Sequence, residues 1–215
     1  SDRSTYKLLG GSIGFYGSTL NTRQYATKGY LEKLIAQVFT GRERFEPGNP
    51  QEGYSPSPQE RQSWLQISYM KEAYHTMGPK FTLGWMAEAL YSSKNFSENY
   101  TATMMQAGEF APTPHSKLMY NEAFRANQYV AAGIKPIYVL NDMFQFRTEF
   151  YGFTPIFPIK KNALNKAYYG KAFSRFEYMG EVSVICHLPF GAISAYVNHY
   201  SSPRREWNVG MTIGW

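Results

Sequence analysis

Five consecutive residues, Gly10-Gly11-Ser12-Ile13-Gly14, spell G-x-S-x-G, the pattern of a hydrolase nucleophile elbow. An elbow raises its serine on a strained turn between a strand and a helix, beside an oxyanion hole. Here the pentapeptide lies within a glycine-rich run from Tyr6 to Tyr16, and no helical pattern follows it. The glycines suit an eased strand curvature better than an elbow, so Ser12 is not assigned as a nucleophile. The four histidines, His75, His115, His187 and His199, share no metal-ligand spacing. His187 and His199 fall on neighbouring predicted strands, where hydrogen bonding is the expected role ahead of a zinc pair. Cys186 is the single cysteine, which excludes an intrachain disulfide. It falls on a predicted apolar face, as a small inert hydrophobe. Asn95-Phe96-Ser97 and Asn99-Tyr100-Thr101 match glycosylation sequons. No catalytic residue, metal site or cofactor is expected in this segment.

The residues that must position any function alternate in polarity. Phe81, Leu83, Trp85, Ala87, Ala89 and Tyr91 alternate with a set that includes Thr82, Gly84, Glu88 and Ser92. Side chains of a strand point to opposite faces in turn, so one face is apolar and the other polar. The pattern recurs. Phe144, Phe146 and Phe150 oppose Gln145, Arg147 and Glu149; Tyr178, Val182, Val184 and Cys186 oppose Glu177, Glu181, Ser183 and His187. Ile193, Ala195 and Val197 oppose Ser194 and Asn198, and Trp207, Val209, Met211, Ile213 and Trp215 oppose Asn208, Gly210, Thr212 and Gly214. Weaker alternation covers 6–17, 30–44, 62–76 and 129–139, making about nine strands with little helix. Tight connections at Met77-Gly78-Pro79, Leu140-Asn141-Asp142, Pro189-Phe190-Gly191 and Ser202-Pro203 alternate with long polar ones at 45–60, 94–127 and 154–174.

Composition narrows the class. Aromatic residues make up 17% of the chain, with Tyr 18 and Phe 15, which suits large β surfaces and wet–greasy boundaries. No stretch approaches the roughly 18 apolar residues of a membrane-spanning helix, and mean hydropathy is -0.44. A helical membrane protein is therefore excluded. The net charge of +6 is scattered, with no run beyond Lys160-Lys161 or Arg204-Arg205. That reads as loop charge or lipid-headgroup contact, and nucleic acid is not an expected partner. Charges in mid-strand, Glu88, Arg147, Glu149, Glu177 and Glu181, favour a barrel with a wet interior and lipid outside, with the bulky rings of Trp64, Trp85, Trp207 and Trp215 turned towards the lipid. A soluble sandwich or lipocalin-like barrel is the alternative, since both alternate as well.

Two segments carry a resemblance. The stretch 18–31, Ser-Thr-Leu-Asn-Thr-Arg-Gln-Tyr-Ala-Thr-Lys-Gly-Tyr-Leu, resembles a turn of the bacterial surface antigen barrels, the superfamily of outer-membrane assembly and two-partner secretion. Trp207 to Trp215, with Gly210 and Gly214 between, resembles the terminal β-signal of such barrels. More narrowly, four stretches in order resemble the C-terminal barrel of Bacteroidetes patatin-like outer-membrane proteins. They are Pro112-Thr113-Pro114-His115-Ser116-Lys117, Phe124 to Gly133, Arg147 to Gly152, and Tyr200 to Pro203 with Trp207.

The resemblance implies an all-β fold: a transmembrane antiparallel barrel of which residues 1–215 form the C-terminal part of roughly sixteen strands. An odd strand count suits a piece of a barrel, and unpaired edges are not viable in lipid. N-terminal strands or another chain are therefore expected to complete it. The implied setting is the bacterial outer membrane, with lipid and lipopolysaccharide as partners and the barrel assembly machinery acting during insertion; a homodimer is compatible. The implied role is an anchor or translocation module, with room for a patatin-like acyl hydrolase before it. This segment lacks the Asp-Gly pair that such a site requires. The alternative is the barrel of an insertase or two-partner secretion pore. The long loop 94–127 is expected to fold into the lumen, with Arg125 docking on Glu149, while Glu88, Arg147, Glu177 and Glu181 line the polar interior. A buried arginine facing a carboxylate makes a strong charge-assisted contact.

Overall fold

A computed structural model describes residues 3–48, 61–202 and 207–214. The alternating segments are strands: β1 (Arg3–Ser18), β2 (Gly29–Glu46), β3 (Arg61–Thr76) and β4 (Phe81–Ser92). A long connection follows, containing helix α1 (Tyr100–Gln106) and the two-residue strands β5 (Gly108–Glu109) and β6 (Arg125–Ala126). Next come β7 (Gln128–Val139), β8 (Phe144–Pro155), the short β9 (Ile159–Lys161) and β10 (Ala167–Tyr169), then β11 (Glu177–Leu188), β12 (Gly191–Tyr200) and β13 (Trp207–Gly214). Nine strands form one sheet in the order β1-β2-β3-β4-β7-β8-β11-β12-β13. Every neighbouring pair in it is antiparallel. The fold is all-β, as the alternation requires. β5 pairs with β6 and β9 with β10 as separate ribbons.

At one end lie the short connections 77–80, 140–143 and 189–190 together with the ten-residue 19–28; at the other lie the long connections 93–127 and 156–176. Among the described residues β1 pairs only with β2 and β13 only with β12, so the sheet has two edges. It is nonetheless curled. Tyr25, from the turn after β1, donates its hydroxyl to Ser194 Oγ on β12 at 2.7 Å. A Cβ added to Gly214 on β13 would meet Gln24 of the same turn.

The two faces differ as the alternation predicts. On β11, Glu177, Met179, Glu181, Ser183 and Ile185 are buried while Tyr178, Val182 and Val184 are exposed. On β8, Gln145, Arg147, Glu149, Tyr151 and Phe153 are buried while Phe144, Phe146 and Phe150 are exposed. A one-residue slip in register would exchange these sets, so the pattern specifies the pairing. Cys186 lies opposite Phe144, on the exposed face.

Three expectations need correction, and one is met: helix is scarce, α1 being seven residues long, and Asn99, part of a sequon, accepts from the Ala102 amide at 2.7 Å and caps it. A short polar residue at that position satisfies a helix-end amide with no sugar involved. Trp64, grouped above with the outward rings, faces the interior at 8% exposure and stacks on Phe39. The interior is not polar throughout. The long loop brings in Phe110, Ala123 and Phe124, which pack against Tyr129, Tyr151 and Phe153. The third correction concerns Arg125 and is described with the site below. Trp215, Pro203 and residues 49–60 lie outside the described residues.

Candidate functional site: the interior plug

The first turn is organised by one side chain. Asn21 Oδ1 accepts from the amides of Thr27 at 2.9 Å and Lys28 at 3.0 Å. Gly29 closes the turn at φ 90, where a Cβ would lie 2.1 Å from the Thr19 carbonyl oxygen. Only glycine fits that conformation and that approach. The turn so fixed directs Tyr25 and Ala26 inward, both buried. Gln145 donates to the Tyr25 carbonyl at 3.1 Å and Arg147 to the Ala26 carbonyl at 2.9 Å.

From the opposite end the 93–127 connection folds onto the same face. Its own contacts shape it. Arg125 bonds Glu109 at 2.6 Å across the β5–β6 ribbon and reaches the carbonyls of Met105 and Ala107. The Phe110 amide donates to the Phe124 carbonyl at 2.9 Å. The two rings stack or tilt against Phe153, with centroids 5.9 Å and 5.6 Å away. Such pairs contribute about 0.5–1.5 kcal/mol each beyond area burial. Pro112 and Pro114 lie in the innermost segment, whose polar residues Thr113 and His115 are buried at 0% and 1% exposure.

His115 docks the loop. Its Nδ1 stands 2.8 Å from Glu181 Oε1 on β11, and its Nε2 stands 3.1 Å from both Ser194 Oγ and Thr212 Oγ1. The imidazole lies flat on Tyr196, with centroids 3.5 Å apart. Ser194 therefore receives the first turn, through Tyr25, and the long loop, through His115. The two inward segments meet on one hydroxyl.

Arg125 does not pair with Glu149. Arg147, two residues away on the same face of β8, bonds Glu149 through Nε at 2.9 Å, and Tyr151 donates to its other oxygen at 2.5 Å. A same-strand neighbour needs no loop to reach it, and Glu109 offers Arg125 a carboxylate within its own ribbon. Nearby, Lys135 Nζ lies 3.1 Å from Glu72 Oε1. The Arg147, Glu149, Lys135 and Glu72 charges, with Arg23, Glu88 and Lys117, line a cavity of about 490 Å3 between turn, loop and wall.

The remaining expected residues fall as follows. Glu88 is inward and accepts from the Tyr129 hydroxyl at 2.5 Å. Glu177 accepts from Ser201 Oγ at 2.5 Å and faces Arg175 Nε at 3.3 Å. Trp207 is 70% exposed, with its ring 4.8 Å from that of His199. Gly210 faces inward, where a Cβ would lie 2.5 Å from the Tyr196 hydroxyl that stacks beneath His115. Ser12 lies within β1 opposite Gln37, in extended strand and not on an elbow. His187 and His199 are not brought together: His187 pairs with Ala192 and His199 with Gly180, at opposite ends of β11. No group of three His, Cys, Asp or Glu among the described residues is placed to hold a metal ion.

Ser194, His115 and Glu181 stand in the order nucleophile, base and orienting acid. Sequence reading missed this set because its members come from the loop, β11 and β12. The chemistry is blocked: Ser194 has 0% exposure, and Tyr25 donates into its oxygen. A nucleophile needs a free lone pair and a place for substrate at about 3 Å. This arrangement is a latch.

Neither a family model, nor a curated protein, nor a solved structure matches the chain.

Proposed function

We propose that this segment is part of the wall of a bacterial outer-membrane β-barrel, an anchor or translocation module of a patatin-like protein, with its interior closed at rest. The observation that carries the reading is the partition of side chains. Buried inward charges, Lys135, Arg147, Glu149, Glu177 and Glu181, back onto exposed Ile134, Phe146, Phe150, Val182 and Val184. A water-soluble sheet of this kind would bury the apolar set, whereas lipid rewards its exposure. Connections of two to four residues at 77–80, 140–143 and 189–190, against the long 93–127 and 156–176 at the other end, support the same reading. Closure at rest is supported by the meeting of Tyr25 and His115 on Ser194, which argues for a plugged module over an open porin. Earlier strands or a second chain would satisfy the β1 and β13 edges. A G-x-S-x-G followed by an Asp-Gly pair, upstream in the same polypeptide, is expected from the patatin reading.

The test is site-directed nitroxide labelling in reconstituted bilayers, on a Cys186→Ala background. Labels at positions 182 and 184 should collide freely with oxygen and poorly with a water-soluble nickel chelate, and a label at 183 should not share that signature. Recovery of the chain from the aqueous fraction without detergent, or uniform chelate access, would sink the proposal.

A further inference from the structure

The outward face of β1, β2 and β3 changes character within two rungs, through the hydroxyls of Thr40 and Ser63. Toward the middle of these strands it is apolar: Leu9, Val38 and Leu65 are 73%, 58% and 37% exposed. Toward the long-connection end come Lys7, Arg42 and Arg61, which stand directly opposite one another in register, Lys7 to Arg42 and Arg42 to Arg61. All three are exposed. Their face is fixed by their neighbours, since Tyr6 and Glu43, one residue along each strand, bond one another on the interior side. With strands roughly 4.8 Å apart, three cations lie within ~10 Å.

Like charges directly opposite on a sheet repel and destabilise the pairing. Among the described residues nothing nearby neutralises this row. Arg44, one rung further out, takes Glu46 at 2.9 Å, so that carboxylate is already engaged. Arg61 is held in place, its Nε donating to Thr40 Oγ1 at 3.0 Å, and Ser63 donates to the same oxygen at 2.9 Å. The other end of the same face is different. There Lys71 faces Glu32 at 3.5 Å and Tyr69 donates to Glu32 at 2.7 Å, so charge is paired. At one rim the charges are paired; at the other no described carboxylate answers the cationic row, and the apolar band begins beyond Thr40 and Ser63.

We infer that Lys7, Arg42 and Arg61 form a docking site for a phosphate-bearing lipid headgroup, whose acyl chains lie along the apolar band at Leu9, Val38 and Leu65. The inference rests on the membrane reading above and names a ligand class for the outer surface. Guanidinium groups bind phosphate oxygens bidentately, and the lysine adds a point charge. The change from cation, through the hydroxyls of Thr40 and Ser63, to hydrocarbon within two rungs matches the step from headgroup through the polar linkage to the chains of a lipid. It does not match a free anion.

The test uses the full chain in detergent micelles, titrated with diphosphoryl lipid A, monophosphoryl lipid A or inorganic phosphate and followed by native mass spectrometry. The Lys7→Gln/Arg42→Gln/Arg61→Gln variant is compared with Lys71→Gln at the paired rim. Each cation near a lipid surface contributes about fivefold, so the triple variant should bind diphosphoryl lipid A on the order of 100-fold more weakly. Lys71→Gln should bind as the parent does, and monophosphoryl lipid should bind less tightly than diphosphoryl. Retained heat-modifiable mobility on gels reports that the variants fold. Equal binding by the folded triple variant overturns the site, and equal occupancy by inorganic phosphate overturns the lipid assignment. A chain that stays in solution without detergent overturns the membrane reading and this site with it. A chain that inserts but binds lipid indifferently overturns the site alone.

Discussion

His115 Nδ1 stands 2.8 Å from Glu181 Oε1, and that contact fixes the middle of a loop from one end of the sheet to the middle of β11. Both side chains are almost wholly buried, at 0% and 2% exposure. Removing one partner from such a pair leaves the other without compensation, at a cost of about 3–5 kcal/mol. His115→Ala is therefore expected to release the loop as well as destabilise the chain. Trypsin should then cut at Lys117, and ion conductance across planar bilayers should rise over the parent. A parent-like cleavage pattern and conductance would show that Phe110 and Phe124 hold the loop without the latch.

Arg147 serves two masters, Glu149 on its own strand and the Ala26 carbonyl of the first turn. Arg147→Met should lower unfolding stability in urea by about 3–5 kcal/mol, because Glu149 remains buried and charged. Replacing both by methionine should recover most of that loss, since a well-packed apolar pair is often neutral relative to a buried ion pair. No recovery in the double variant would mean that the contact with Ala26, and not the ion pair, carries the stability.

The wall was legible because its signal is local. Val182, Val184 and Cys186 against Glu181, Ser183 and His187 show a period of two in a single strand, and the face of each side chain follows. The plug was not legible, because its contacts join residues distant in sequence. Arg125 and Glu149 are a reasonable pair by charge, yet each has a nearer partner, Glu109 and Arg147, that folding supplies first. His115 carried a weak signal, a histidine beside two prolines near the centre of a long connection. Nothing local points from it to Glu181 in preference to Glu177. Trp64 was misplaced because an aromatic ring suits lipid and a packed interior equally; Lys94 decides the matter by lying 4.9 Å over its ring.

That lysine is itself testable. Lys94 follows β4 and rests over Trp64 and, at 5.5 Å, over Tyr6. Burial lowers its pKa to about 8, with Glu43 opposing the shift. The folded chain thus releases this proton at lower pH than the unfolded chain. Between about 8 and the usual value of 10.5 the unfolded state binds more protons, so stability should rise with pH through that window. Carbon-13 dimethylation of the lysines, followed by NMR titration, should give one resonance with a midpoint near 8 that is missing from Lys94→Gln. A Lys94 midpoint above 10 would mean that the ring faces and Glu43 outweigh desolvation.

Ser194 offers the sharpest discrimination between latch and catalyst. Its hydroxyl lies 3.1 Å from an imidazole that is itself oriented by a carboxylate, the geometry in which a serine becomes nucleophilic. Against that, the hydroxyl has no exposed surface and is shared with Tyr25 and with Thr212, both at 2.7 Å. A fluorophosphonate probe is therefore expected to leave both Ser194 and Ser12 unmodified, as read by peptide mass spectrometry. Ser194→Ala should cost about 1 kcal/mol for each contact it leaves without a partner and loosen turn and loop together. Tyr25→Phe should loosen the turn alone, because His115 keeps its bonds to Glu181 and Thr212. An adduct on Ser194 in the intact chain would mean that the loop opens far enough to admit substrate, and the plug would then have to be reread as a lid over a reactive serine.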